Sequence, residues 1–117
     1  MDPKTKTRLF WAALVVVAVV LAAHKTRSEI VQVKYRGEVN VAPFDCTNID
    51  GGSFVERVCY DKANQYMLID LRGTYYHYCE IDSATVSSLL QAESLGQFYN
   101  ATIKGRFDCR THRVPQY

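Results

Sequence analysis

No Gly-x-Ser-x-Gly elbow, no phosphate-binding glycine loop and no paired-carboxylate motif occurs anywhere in the 117 residues. Hydrolysis by an activated serine, nucleotide binding at a phosphate loop and two-carboxylate acid–base chemistry therefore have no support in the sequence. The chain reads as a non-enzyme with no cofactor. Metal chemistry is equally poorly served. The cysteines are separated by twelve, nineteen and twenty-nine residues, with no Cys-x-x-Cys, and His24, His77 and His112 lie far apart. Structural zinc sites need close ligand pairs, so no metal is expected. A globally basic surface is also missing. From His24 onward eleven Lys and Arg face eleven Asp and Glu, and the net +2 comes from Lys4, Lys6 and Arg8 against Asp2. That removes the usual electrostatic footprint of nucleic-acid binding. Internal repeats and low-complexity segments are absent as well.

Polar side chains are missing altogether from Leu9 to Ala23, directly after the basic Lys4, Lys6 and Arg8. A basic stretch followed by such a run is an export pattern. As a helix it reaches about 22 Å, short of the roughly 30 Å hydrocarbon core of a bilayer. Val20-Leu21-Ala22 offers a tolerable cleavage site, while snorkelling flanks extend the span enough for a retained anchor, oriented N-in. Residues 1–23 are thus a signal peptide or a signal-anchor helix, with residues 9–23 touching the membrane if uncleaved. Both readings put the rest outside the cytoplasm, either periplasmic or secreted, or anchored at the inner membrane. Four cysteines in a short exported chain then read as two disulfides. About 90 residues make a marginal domain that gains from such staples.

Periodicity predicts an α+β fold: a small antiparallel β-meander followed by two short helices, preceded by the N-terminal apolar helix. Residues 24–53 read as a linker with short strands. Ile30–Tyr35 and Glu38–Ala42 alternate around Arg36-Gly37, and residues 47–53 form a loop. Phe54–Tyr60, Tyr66–Leu71 and Thr74–Ile81 form the meander, joined by turns at residues 61–65 and at Arg72-Gly73. Asp82 or Ser83 caps a helix carrying Val86, Leu89 and Leu90, and Ser94 caps a second one that ends at Gly105. Residues 108–117 read as an extended basic tail.

A two-residue turn at Arg72-Gly73 sets Leu71 opposite Thr74, Ile69 opposite Tyr76 and Met67 opposite Tyr78. A four-residue turn at residues 62–65 sets Tyr60 opposite Met67 and Val58 opposite Ile69. Val58, Tyr60, Met67, Ile69, Tyr76 and Tyr78 then share the face that the helices cover. Cys59 and Cys79 share the other face but sit on the outer strands, about 10 Å apart and beyond disulfide reach. Two pairings remain: Cys46–Cys59 with Cys79–Cys109, or Cys46–Cys79 with Cys59–Cys109. The first closes the shorter loops.

Val58-Cys59-Tyr60-Asp61, Met67-x-Ile69-x-Leu71, Gly73-x-x-Tyr76-x-Tyr78 and Ala92-x-Ser94-x-Gly96-x-Phe98-x-Asn100-x-x-Ile103 together resemble the KTSC family. That small domain occurs at the C-terminus of some lysyl-tRNA synthetases and alone in bacterial proteins. The resemblance covers residues 54–107 and implies no established activity, with RNA binding only a suggestion. The chain departs from the family in its export segment, its four cysteines, and Asp82 where a proline usually follows the third strand.

Tyr76 and Tyr78 read as core residues, whereas Tyr75 and His77 alternate to the opposite face and remain surface candidates. Lys104, Arg106, Arg110, His112 and Arg113 form a local basic cluster suited to phosphate or anionic lipid. The expected binding residues are therefore Tyr75, His77, Lys104, Arg106, Arg110 and Arg113. The function expected is a non-catalytic interaction module outside the bacterial inner membrane, binding a protein partner or an envelope component. A nucleic-acid (RNA)-binding module using the aromatics and the basic tail is the alternative.

Overall fold

The computed structural model describes residues 28–51 and 53–117, so the apolar run at residues 9–23 lies outside the described residues. Among the described residues no helix is long and apolar enough to cross a membrane. Six strands come first: β1 (Ile30–Val33), β2 (Gly37–Asn40), β3 (Asp45–Asn48), β4 (Val55–Asp61), β5 (Tyr66–Leu71) and β6 (Thr74–Tyr78). Helices α1 (Ser83–Gln91) and α2 (Leu95–Phe98) follow, and α2 runs on as a π-helical turn at Tyr99–Ile103.

The meander has the register expected from its turns. Tyr60 faces Met67, Val58 faces Ile69, Ile69 faces Tyr76 and Met67 faces Tyr78. Arg72 and Gly73 both take positive φ, 53° and 90°, and close the two-residue turn between β5 and β6. Asp82 caps α1 by accepting from the Thr85 N–H, and Ser94 caps α2 by accepting from the Gln97 N–H. Val86, Leu89, Tyr99 and Ile103 from these helices close over Val55, Val58, Met67 and Ile69. Gly96 is fixed by close approach, since a Cβ there would lie 2.6 Å from the Phe54 ring.

The sheet extends beyond the meander. Its order is β2-β1-β6-β5-β4-β3, and β1 meets β6 in parallel at Val33 and Tyr75, so the sheet is mixed rather than antiparallel throughout. Residues 45–48, expected as linker with residues 47 and 48 already in the loop, are instead a strand paired with β4. The physical reason lies on the face away from the helices. Cys59, Tyr66, Leu68 and Cys79 point there, and a bare apolar sheet face needs a cover. Val31, Val33, Val39, Val41 and Phe44 supply it from the segment expected to be a linker with short strands, whose hairpin of β1 and β2 forms around Arg36-Gly37.

Both cysteine pairs stand at disulfide distance in the arrangement with the shorter loops, Cys46–Cys59 and Cys79–Cys109. Cys46 lies directly opposite Cys59 across the β3–β4 ladder. The C-terminal segment is not an extended solvated tail. Cys79 N–H donates to the Phe107 carbonyl at 2.8 Å, Arg113 N–H donates to Glu80 Oε1 at 2.6 Å, and the Tyr117 hydroxyl donates to Asp61 Oδ2 at 2.6 Å. The Arg36 guanidinium holds its far end, lying 5.0 Å from the Tyr66 ring and 5.3 Å from the Tyr117 ring. Arg36 Nη2 also donates to the Pro115 carbonyl at 2.7 Å.

Candidate functional site

The edge of β6 is covered twice, with a gap between. At its start Lys34 N–H donates to the Tyr75 carbonyl at 2.8 Å, and β1 then turns away through Lys34–Arg36. Past its end the tail takes over at the Cys79–Phe107 hydrogen bond. Between these two anchor points lies a groove of about 410 Å³. Its aromatic lining is Tyr35, Tyr76, His77 and Tyr78, and its opposite wall is Gly105, Arg106, Asp108, Cys109 and Arg110.

Local chemistry explains how each wall is held. Tyr35 takes φ of 70° at the hairpin tip, which lifts its ring into solvent at 85% exposure. Lys34 Nζ sits 5.4 Å from the Tyr35 ring and 5.6 Å from the Tyr76 ring. The Tyr78 and Tyr99 hydroxyls hydrogen-bond each other beneath the groove, and burial, with this bond, pushes the Tyr78 phenol up. The Arg110 guanidinium chelates Asp108, with Nε 3.0 Å and Nη2 2.6 Å from Oδ2. That contact holds the Asp108 carboxyl at about 2. The Tyr66 hydroxyl lies 2.9 Å from His77 Nδ1. Burial, then the Arg36 charge, pushes the His77 imidazole below its ordinary value, while Asp108 pulls the other way. The groove thus presents a neutral imidazole, three phenols and two guanidiniums, one of them ion-paired.

His77, Arg106 and Arg110, all expected in the binding set, come together here. The other three do not. The Tyr75 hydroxyl accepts from Arg57 Nη1 at 3.2 Å, beside the Arg57–Glu29 ion pair, and the Tyr75 ring packs on the second core. Lys104 is exposed outside the lining, and so is Arg113, whose backbone N–H donates to Glu80 and whose Nη2 donates to the Asn64 carbonyl. Tyr75 and His77 are half-buried rather than open surface, because β1 and the tail cover their face. Tyr35 and Asp108 were not expected. The only sequence signal for Tyr35 is an aromatic between two cations ahead of Gly37. Tyr76 and Tyr78, expected in the core, are half-buried and line the groove at their exposed edges.

His77 also adjoins the second cysteine pair. Ligand atoms of His77, Cys79 and Cys109 all lie within 4.8 Å of one another, a grouping that the spacing of histidines along the sequence concealed. In the disulfide state the two sulfurs bond each other and offer no thiolate.

Residues 52–107 match the KTSC domain family. A solved KTSC domain protein from Yersinia pestis shares the fold at a TM-score of 0.52 and 23% sequence identity, over 56% of this chain and 92% of its own. No curated protein matches the chain. Strands β1, β2 and β3 and the end of the tail fall outside the matched residues. Each disulfide therefore ties one cysteine inside the matched domain, Cys59 or Cys79, to one outside it, Cys46 or Cys109.

Proposed function

With residues 52–107 a KTSC domain, we propose that the chain is a non-catalytic interaction module held outside the bacterial inner membrane, and that its groove captures a segment of a partner protein. The convergence of Tyr35, Tyr76, His77, Tyr78, Arg106 and Arg110 on one concavity carries this reading. Exposed aromatics and arginines are the residue types that dominate protein recognition sites. Tyr35 supplies the solvent-facing anchor, and Arg106 supplies a charge for an acidic partner residue. His77 is engaged by Tyr66 and Asp108 by Arg110, so each is committed to a structural contact rather than poised for proton transfer. Two disulfides and the apolar run behind a basic stretch support a location in an oxidising compartment.

Tyr35→Ala and Arg106→Ala should abolish capture of the partner from envelope membranes while leaving the melting temperature within a degree or two. Equal capture by both variants contradicts the assignment of the groove. One observation favours nucleic acid instead: Lys34 poised over both the Tyr35 and Tyr76 rings makes a stacking platform with a cation beside it. Single-stranded RNA binding that weakens steeply as salt rises would select that reading.

A further inference from the structure

We propose that the dithiol form of Cys79 and Cys109, together with His77, is a binding site for one Cu(I) ion, closed when the disulfide forms. The proposal stands independently of the partner reading. Three potential ligands converge, His77 and Cys79 two residues apart at the end of β6 and Cys109 from the tail, with all ligand atoms within 4.8 Å. Metal bonds of about 2.0–2.3 Å separate neighbouring ligand atoms by about 3.5–3.8 Å, so the site needs only small adjustments. The two sulfurs must part from bonding distance, and a Cα separation of 4.9 Å leaves that to side-chain rotation.

The donor set selects the metal. Two thiolates and an imidazole suit a soft ion, and no carboxylate belongs to the group to favour a hard one. Three ligands are too few to close a structural zinc site, which takes four. The Tyr66 hydroxyl at 2.9 Å from Nδ1 fixes the imidazole ring, the role that outer-shell partners play for metal-bound histidines. Cys79 is fully buried, but His77 and Cys109 line the groove, which gives the ion its entry path. Among the described residues the Cys46–Cys59 pair belongs to no comparable group.

The redox step balances with a dithiol donor. The donor gives two electrons and two protons to the Cys79–Cys109 bond and leaves as its own disulfide. Cu(I) then replaces the two thiol protons, which pass to solvent. Transfer of the two electrons to a disulfide acceptor restores the bond and expels the ion.

The test uses the full chain in detergent micelles, reduced anaerobically with a phosphine and titrated with Cu(I) against a chromophoric Cu(I) chelator. To isolate the site, Cys46→Ser with Cys59→Ser should retain one Cu(I) per chain, and the oxidised wild type should bind none. Cys79→Ser with Cys109→Ser should lose binding, and His77→Ala should weaken it at least tenfold. X-ray absorption of the loaded Cys46→Ser, Cys59→Ser protein should show two sulfur neighbours and one nitrogen, a readout independent of whether the other variants fold. Equal binding by oxidised and reduced protein overturns the proposal, as does a sulfur-only shell or a preference for Zn(II) over Cu(I).

Discussion

The two faces of the sheet are closed by different means. On one, Met67 and Ile69 lie under helices that belong to the KTSC domain itself, with Asp82 and Ser94 capping them in place. On the other, Leu68 and Tyr66 lie under Val31, Val33, Val39, Val41 and Phe44, all from outside the matched residues. The first face is closed by contiguous chain at short range. The second is closed by a hairpin and a tail from opposite ends of the described chain; one disulfide ties the tail to Cys79, and the other ties β3, which follows the hairpin, to β4. The groove lies where these two additions fail to meet. Its Tyr35 wall comes from the hairpin, its floor from the domain, and its Arg110 wall from the end of the domain, Gly105 and Arg106, together with the tail. The groove is thus shared, with Tyr35, Asp108, Cys109 and Arg110 from the flanks and Tyr76, His77, Tyr78, Gly105 and Arg106 from the matched residues.

Equal truncations on the two faces weigh one core against the other. Leu68 and Ile69 are adjacent on β5, both fully buried, and point to opposite faces. Each truncation to alanine should cost about 2–5 kcal/mol by denaturant unfolding, since each leaves a cavity in a packed core. A Leu68→Ala cost within about 0.5 kcal/mol, the surface value, would mean that the second face is not a core.

Next in size is the Cys79–Cys109 staple. Its sequence separation of 30 residues corresponds to about 3.6 kcal/mol in the chain-entropy treatment. Cys79→Ser with Cys109→Ser should show that loss, with amide exchange rising first in the tail and last under the helices. Uniform loss of protection across both faces would show that the two cores melt as one.

A smaller effect is expected at Arg36, whose guanidinium lies against Tyr66 and Tyr117 with Nη1 buried and unpartnered. Arg36→Met should cost about 1–2 kcal/mol through the lost cation–π and hydrogen-bond contacts. A neutral result would show the tail held without it.

His77 makes the stability of the second face depend on pH. Its imidazole titrates below the ordinary value in the folded protein, so the unfolded chain binds the proton more readily. Stability is therefore complete above about pH 6.5 and is lost as pH falls from there towards the folded value. His77→Gln should flatten that limb of the profile measured by thermal unfolding from pH 7.5 to 5. An unchanged slope in the variant would place the titration elsewhere.

The meander was legible in the sequence because two turns of fixed length set its pairs, apart from Val55 with Leu71, where a register shift between Val55 and Arg57 departs from the turn. Once Arg72-Gly73 is a two-residue turn, the partners of Met67 and Ile69 follow without further information. The helix caps were legible for the same local reason. Strands β1 and β3 were not assignable to an edge, because four-residue segments carry no signal of which strand they will join. Cysteine geometry narrowed the disulfides to two arrangements, and only the β3–β4 ladder, which sets Cys46 against Cys59, separates them. The site was half legible. The basic residues near the end of the domain drew attention to Arg106 and Arg110. The Tyr35 wall depends on the parallel pairing of β1 with β6, a contact between residues 33 and 75 that no local pattern encodes. Arg113 and Tyr75 lie outside the groove, their contacts made with residues distant in sequence: the Arg113 N–H with Glu80 and the Tyr75 hydroxyl with Arg57.

Cross-linking from the groove shows whether flanking segments and domain together form the binding site. A photo-reactive phenylalanine analogue replacing Tyr35 should trap a discrete partner in intact envelopes, and Arg106→Ala in the same chain should remove the adduct. The same analogue at Leu90, partly exposed on α1, should trap nothing. A partner trapped from Leu90 and not from position 35 would contradict the account, placing recognition on the helices of the domain rather than at its stapled margin.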